Sequence, residues 1–362
     1  MARVLDRRAL NRAALDRQLL LHRSRMPALD AVERLVAIQA QETNMPYLGL
    51  WTRLDGFRRD DLTGLLHDRS VVRGSILRGT QHMSTAGDYL WLRPLVQACL
   101  LRAQQAAFGR VTKDWDLDEL AKEARRLLDG RTLTRPQLAR KLAEQWPDRD
   151  VQALGWTVQA LVPVVHPPPS GTWNTGGATP FALAEDWIGE PLQQPAPERL
   201  IRRYLSAFGP ASVKDFQMWS GMRRMDADFG ELRPALQVYK DENGVELFDL
   251  PDIPFPDDRP APVRFLPAFD NLILAYADRT RMMTDEHRKA VCVGAITKPT
   301  LLVDGRVHGT WALKHDKKSD RATLTIELFS PLPDDQPVQE EAAALLTFAA
   351  PTAEHAVHLK DL

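Results

Sequence analysis

Residues 71–85 read VVRGSILRGTQHMST. Val71, Val72, Ile76 and Leu77 are interleaved with polar residues, and Gly74 and Gly79 suit strands that bend or meet a tight turn. The segment predicts a β-hairpin. Upstream, apolar residues recur at helical spacing in three stretches. Residues 6–24 place Leu10, Ala14, Leu15 and Leu19 on one side, residues 28–42 do so with Ala31, Leu35 and Ile38, and residues 58–68 are entered through Arg58-Arg59-Asp60-Asp61. Helices followed by a hairpin are the order expected of a winged helix. Residues 88–108 then predict a long connecting helix.

The order recurs twice. LDELAKEARRLLDG closes on Gly130, LTRPQLARKLAEQWP offers Thr134 as an N-cap, residues 151–162 form a third helix, and the Pro/Gly-rich stretch 164–187 reads as a second hairpin. ERLIRRYLSAFG leads to GPASVKDFQMWSGM, with Ser212 as N-cap and Phe216 and Trp219 inward. A further helix over 223–236 precedes strands over 237–250 that turn at Asn243-Gly244. The tail is rich in β-branched residues, turns at Asp304-Gly305 and closes with a helix over 336–349. The expected fold is α+β, mainly helical: helix-plus-hairpin units over 1–110, 111–190 and 191–260, then a β-rich C-terminal element over 261–362 packed on the third unit. A generic α+β protein would show the same local signals.

A chain of 362 residues with 26% charged residues has room for two or three globular domains. It contains no apolar run of the ~18 residues that span a bilayer. The Arg-rich start MARVLDRRALNRAALDRQ lacks an apolar signal core. No membrane partner and a cytoplasmic location are therefore expected. Cys99 and Cys292 are far apart in apolar surroundings, which predicts two buried thiols and no metal or cofactor site. The net charge is −1, but residues 1–110 carry 17 Arg, no Lys and 10 acidic residues, so the first third is basic by +7 while the rest is acidic. Arginine suits phosphate through its planar fork. Pairing of these arginines with carboxylates on solvated faces is the alternative.

Within that basic third, Gln39-Ala40-Gln41 interrupts the apolar stripe of LVAIQAQETNMPYLGLW. A carboxamide carries donor and acceptor atoms and can hold a water, a sugar oxygen or a base edge. The plain alternative is a polar helix end before Asn44 and Pro46. On a regular helix, residues two apart point about 200° away from each other, so Gln39 and Gln41 share a site only if the helix ends or distorts there.

ERLVAIQAQETNMPYLGLWTRL, ILRGTQHMST, LSAFGPASVKDFQMWSG, FLPAFDNLILAYADR and VDGRVHGTW stand in the order seen in the winged-helix DNA glycosylases of the AlkZ and YcaQ family, which the chain resembles over about residues 6–330. The resemblance implies three tandem winged helices in a C-shaped body, with Gln39 and Gln41 as the catalytic Gln-x-Gln pair. It also implies excision of bulky alkylated purines from double-stranded DNA, including interstrand crosslinks, and, as in several members, self-resistance of a producer to its DNA-alkylating antibiotic. The chemistry is compatible with glutamine. N7-alkylation makes the base cationic and a good leaving group, so strong acid catalysis is unnecessary. What remains is to hold a water under C1′ and stabilise an oxocarbenium-like sugar. The absence of lysine from residues 1–110 predicts a monofunctional enzyme without a Schiff-base step.

Other candidates surround that pair. His82 contacts phosphate or lesion, or is a hydrogen-bonded structural histidine. Arg73 and Arg78 are expected to face backbone phosphate, and Trp173 and Asn174, in the hairpin over 164–181, to probe a groove or to sit in an ordinary loop. Trp219 is assigned to the core, and Asp270 and Asn271 to fixing a turn. Three unequal units in one chain suit a monomer on duplex DNA. A dimeric non-catalytic regulator on a palindromic site and a drug-sequestering protein are the competing classes.

Overall fold

The helix expected over residues 28–42 ends at Arg34 in the computed structural model, which describes residues 3–332 and 334–361. Leu35 caps it, and Val36 then takes the left-handed conformation at φ 68°. A β-branched residue there is strained by about 1–3 kcal/mol. Val36 is wholly buried, and the Asn271 amide donates to the Ala37 carbonyl at 2.7 Å, so the surrounding core holds the bend. The chain leaves it extended as the strand Ile38–Gln39.

That strand pairs antiparallel with Gln81–Thr85, Ile38 opposite Met83 and Gln39 opposite His82. Gln81–Thr85 pairs in turn with Val71–Ser75, the hairpin expected from the sequence. The helix Arg59–His67 precedes it. The first helix is shorter than expected, Arg7–Arg17. The long connector is two helices, Ala86–Leu95 and Gln97–Phe108, interrupted at Val96 after Pro94, which withdraws an N–H from the ladder.

The second unit has helices Leu117–Leu128, Arg135–Gln145 and Val151–Leu161, with Thr134 in a capping box, and a core of its own formed by Leu120, Leu128, Leu138, Leu154, Val158 and Phe181 among others. Its hairpin strands, Val164–Val165 and Pro180–Leu183, are short. The two hairpins join edge to edge through Gly74 opposite Val165, making one six-stranded sheet. Gly74 is required there, because a Cβ would lie 2.7 Å from the Tyr89 ring and 3.1 Å from the Val164 carbonyl. In the third unit, Pro197–Phe208, Val213–Ser220 and the turn at Asn243-Gly244 stand as expected, whereas the helix over 223–236 contracts to Asp226–Leu232. Arg3–Leu5 adds a parallel strand to Gln237–Asp241 that the sequence did not signal.

The tail forms a five-stranded sheet and the helix Gln336–Ala349. The strand Glu354–Asp361, parallel to Arg321–Leu328, was not anticipated. The tail packs on the third unit as expected, with Ile273, Tyr276 and Met282 in a common core and Tyr276 donating to the Phe208 carbonyl at 2.8 Å. Another apolar face of the tail is buried against the first unit, where Trp51, Leu54 and Phe57 share a core with Phe265, Trp311 and Leu345. Charge joins the first unit to both the third unit and the tail. Arg17 pairs with Asp249 at 2.6 Å, Arg23 with Glu341 at 2.6 Å and Arg53 with Asp270 at 2.8 Å, while Arg8 and Arg12 reach Asp258 and Asp304. Much of the N-terminal positive excess is thus consumed inside the molecule. Among the described residues no helix is long and apolar enough to cross a membrane.

Candidate active site at the glutamine strand

The strand conformation removes the geometric conflict posed by a helix. Gln39 ends the strand and Gln41 lies in the bend just beyond it, so the pair is not held to the ~200° divergence of a regular helix. The Ala40 N–H donates to the Gln81 carbonyl at 2.8 Å, continuing the pairing between the two glutamines. Gln39 is 7% exposed, and its Oε1 accepts from Arg78 Nη2 at 2.8 Å. Gln41 is exposed, with its Oε1 at 3.5 Å from the Gln81 N–H, the outer limit of a hydrogen bond. One carboxamide is therefore fixed and the other is available.

Arg78 sits at the tip of the first hairpin with φ 55°, and its guanidinium turns inward rather than toward phosphate. It donates to the Trp219 carbonyl, to Gln39 and, at 3.3 Å, to His82 Nε2. A guanidinium only donates, so His82 Nε2 accepts, and the Nδ1 proton goes to the Thr80 carbonyl at 3.0 Å. His82 is fully buried. Burial and the neighbouring Arg78 push its pKa down to about 3, so it is neutral at physiological pH. Burial and Arg279 likewise lower Arg78 to about 10.

Arg73 also points inward. It donates to the Ala40 carbonyl at 3.0 Å and to Ser170 Oγ at 2.9 Å, holding the backbone between the glutamines. The tip of the second hairpin folds back onto the segment that follows Gln41. Asn44 donates to Asn174 Oδ1 at 2.8 Å, the Asn174 N–H returns to Asn44 Oδ1 at 2.7 Å, and Thr43 reaches the Thr175 carbonyl at 3.2 Å. Trp173 packs edge-on against Tyr47 and Phe348, with the Arg59 guanidinium 4.3 Å over its ring. Its ring is engaged with protein rather than extended as a probe.

Asp270 and Asn271 fix the approach as expected. Asp270 takes a two-pronged bond from Arg53, both at 2.8 Å, and caps Asn271–Leu274, and Asn271 holds the bend before the strand. Trp219 is wholly buried with Tyr204, Phe208 and Phe216, a core position as expected. Sequence inspection missed Gln81, Ser170 and Asn44. Asn44 read only as a helix stop, and the other two gain meaning from strand register alone. Cys99 is buried and Cys292 half-buried, both as free thiols. Among the described residues no cluster of His, Cys, Asp or Glu could hold a metal ion.

The family model described as DNA glycosylase AlkZ-like matches residues 32–349. An interstrand DNA cross-link repair glycosylase of Streptomyces sahachiroi is 28% identical over 320 residues, covering 83% of this chain and 85% of that protein. The solved structure of the Streptomyces sahachiroi DNA glycosylase AlkZ superposes with a TM-score of 0.79 at 23% identity, over 99% of this chain and 100% of that one, a likeness of fold. With the family model spanning most of its length, the chain belongs to the AlkZ-like family of DNA glycosylases.

Proposed function

We propose that this glycosylase hydrolyses the N-glycosidic bond of bulky N7-alkylpurines in double-stranded DNA, unhooking interstrand crosslinks where the base is tethered to both strands, with Gln39 and Gln41 as its catalytic pair. The observation that carries this is the pair of carboxamides at the end of one strand, one locked by Arg78 and one open. A carboxamide oxygen orients water but is a weak base, which suits a leaving group already made cationic by alkylation and not a neutral damaged base. The name of the Streptomyces relative, an interstrand DNA cross-link repair glycosylase, supports the crosslink substrate. Self-resistance to a DNA-alkylating antibiotic is the biological setting that fits such a substrate.

In this proposal the enzyme works as a cytoplasmic monomer without cofactor. Its units over 1–110, 111–190 and 191–260 are winged helices seating the duplex, and the element over 261–362 braces them. His82, Arg73, Trp173 and Asn174 support the glutamine segment from the protein side rather than meeting the lesion themselves.

Release of free base from duplex DNA bearing an N7-alkylguanine tests the proposal. Wild type is expected to release it, and Gln39→Ala and Gln41→Ala each to lose about 100-fold in rate, the effect of removing one preorganised polar group. Salt-sensitive DNA binding without base release would instead identify a non-catalytic regulator.

A further inference from the structure

We infer that Arg78 is a positioning residue for catalysis, locking the Gln39 carboxamide with its oxygen inward and its amide nitrogen free, so that Gln39 serves as hydrogen-bond donor and Gln41 as water acceptor. This rests on the glycosylase proposal above and assigns separate tasks to its two glutamines.

The two ends of a carboxamide are nearly isosteric, and either could face a reacting sugar. Arg78 settles the choice because a guanidinium has donors and no acceptor. The atom 2.8 Å from Arg78 Nη2 is therefore the Gln39 oxygen. Among the described residues the Gln39 Nε2 has no protein partner, and it is not sealed in the interior. Gln39 is left as a donor, suited to a sugar or phosphate oxygen. Gln41 Oε1 is the loosely held acceptor, suited to a water.

Three features of Arg78 are costly unless they do something. Its backbone is left-handed at φ 55°. No carboxylate lies within salt-bridge distance of its guanidinium among the described residues, and Arg279 adds like charge. The neighbouring His82 is held neutral in the tautomer that accepts from it. All three converge on one result, a cationic donor aimed at Gln39 Oε1 and braced by the Trp219 carbonyl. A phosphate-binding arginine would need its fork turned outward.

The left-handed backbone supplies a clean test. Glycine is at ease at φ 55°, so Arg78→Gly removes the guanidinium without straining the hairpin tip. Single-turnover base release from N7-alkylguanine duplex is measured for wild type, Arg78→Gly, Gln39→Ala and the double variant, with DNA affinity and melting temperature alongside. Arg78→Gly is expected to lower the maximal rate about 100-fold while lesion-duplex affinity stays near that of wild type. Added methylguanidinium is expected to restore rate to Arg78→Gly. The double variant is expected to be no slower than Gln39→Ala and to be unresponsive to methylguanidinium, because the two residues act through one interaction. Three outcomes would overturn the inference: wild-type rate in Arg78→Gly, multiplicative losses in the double variant, or weakened DNA binding at an unchanged maximal rate. Absence of base release by wild type would instead refute the glycosylase proposal itself, and the Arg78 assignment with it.

Discussion

Replacing each glutamine by glutamate separates their tasks. A carboxylate at residue 41 is exposed and can act as a base above its ordinary pKa of about 4.3. Gln41→Glu is therefore expected to retain excision at neutral pH and to lose rate as the pH falls below about 5, where wild type stays flat. Gln39→Glu puts a carboxylate against Arg78, forms an inward ion pair and removes the donor, so its rate is expected to fall at every pH. A pH–rate profile of the three proteins checks both statements, and an active, pH-independent Gln39→Glu would contradict the second. At this scale the sequence was partly legible. The core position of Trp219 and the turn residues Asp270 and Asn271 could be read from it. The inward orientation of Arg73 and Arg78 could not, because an arginine beside a DNA-binding site and an arginine bracing one look the same in a string of letters.

Among the elements, those with local chemical signals were readable. Thr134 and Ser212 cap their helices through side-chain bonds three residues on, and Asn243-Gly244 turns its hairpin. Elements whose form is imposed from outside were not. Val36 adopts a conformation its own side chain disfavours, so the pattern of Ala31, Leu35 and Ile38 predicts a helix straight through the site. The joining of the two hairpins likewise depends on Gly74 meeting Val165 across about ninety residues of chain. A methyl at Gly74 must displace Tyr89 or part the two strands. Gly74→Ala is expected to destabilise the protein by about 1–3 kcal/mol, the usual effect of overpacking a core. Thermal unfolding measures this, and an unchanged melting temperature would show that the hairpins are held together elsewhere.

Among the described residues of the whole molecule two histidines are fully buried, His82 and His166, both pushed down to about 3, chiefly by burial. Unfolded, each titrates near 6.5. The unfolded chain therefore binds protons first as the medium acidifies. Their contribution is complete above about 6.5 and lost toward 3, at up to about 1.4 kcal/mol per pH unit for each ring. His166→Asn can keep the donor to the Pro180 carbonyl while removing the titration. Denaturant unfolding from pH 7 to 4 is expected to show a shallower acid slope for that variant, and an identical slope would assign the acid sensitivity to other groups. The core that the first unit shares with the tail also dictates an order of events during synthesis. The second unit owns its apolar interior and can fold as soon as it clears the ribosome. The glutamine strand cannot be secured then, because Phe265, Trp311 and Leu345, which complete the core beside it, are translated later still. At about 5–20 residues per second the stretch from Gln41 to Leu345 takes roughly 15–60 s. For that interval the first unit is an unfinished hydrophobic surface, closed only when its distant partners emerge.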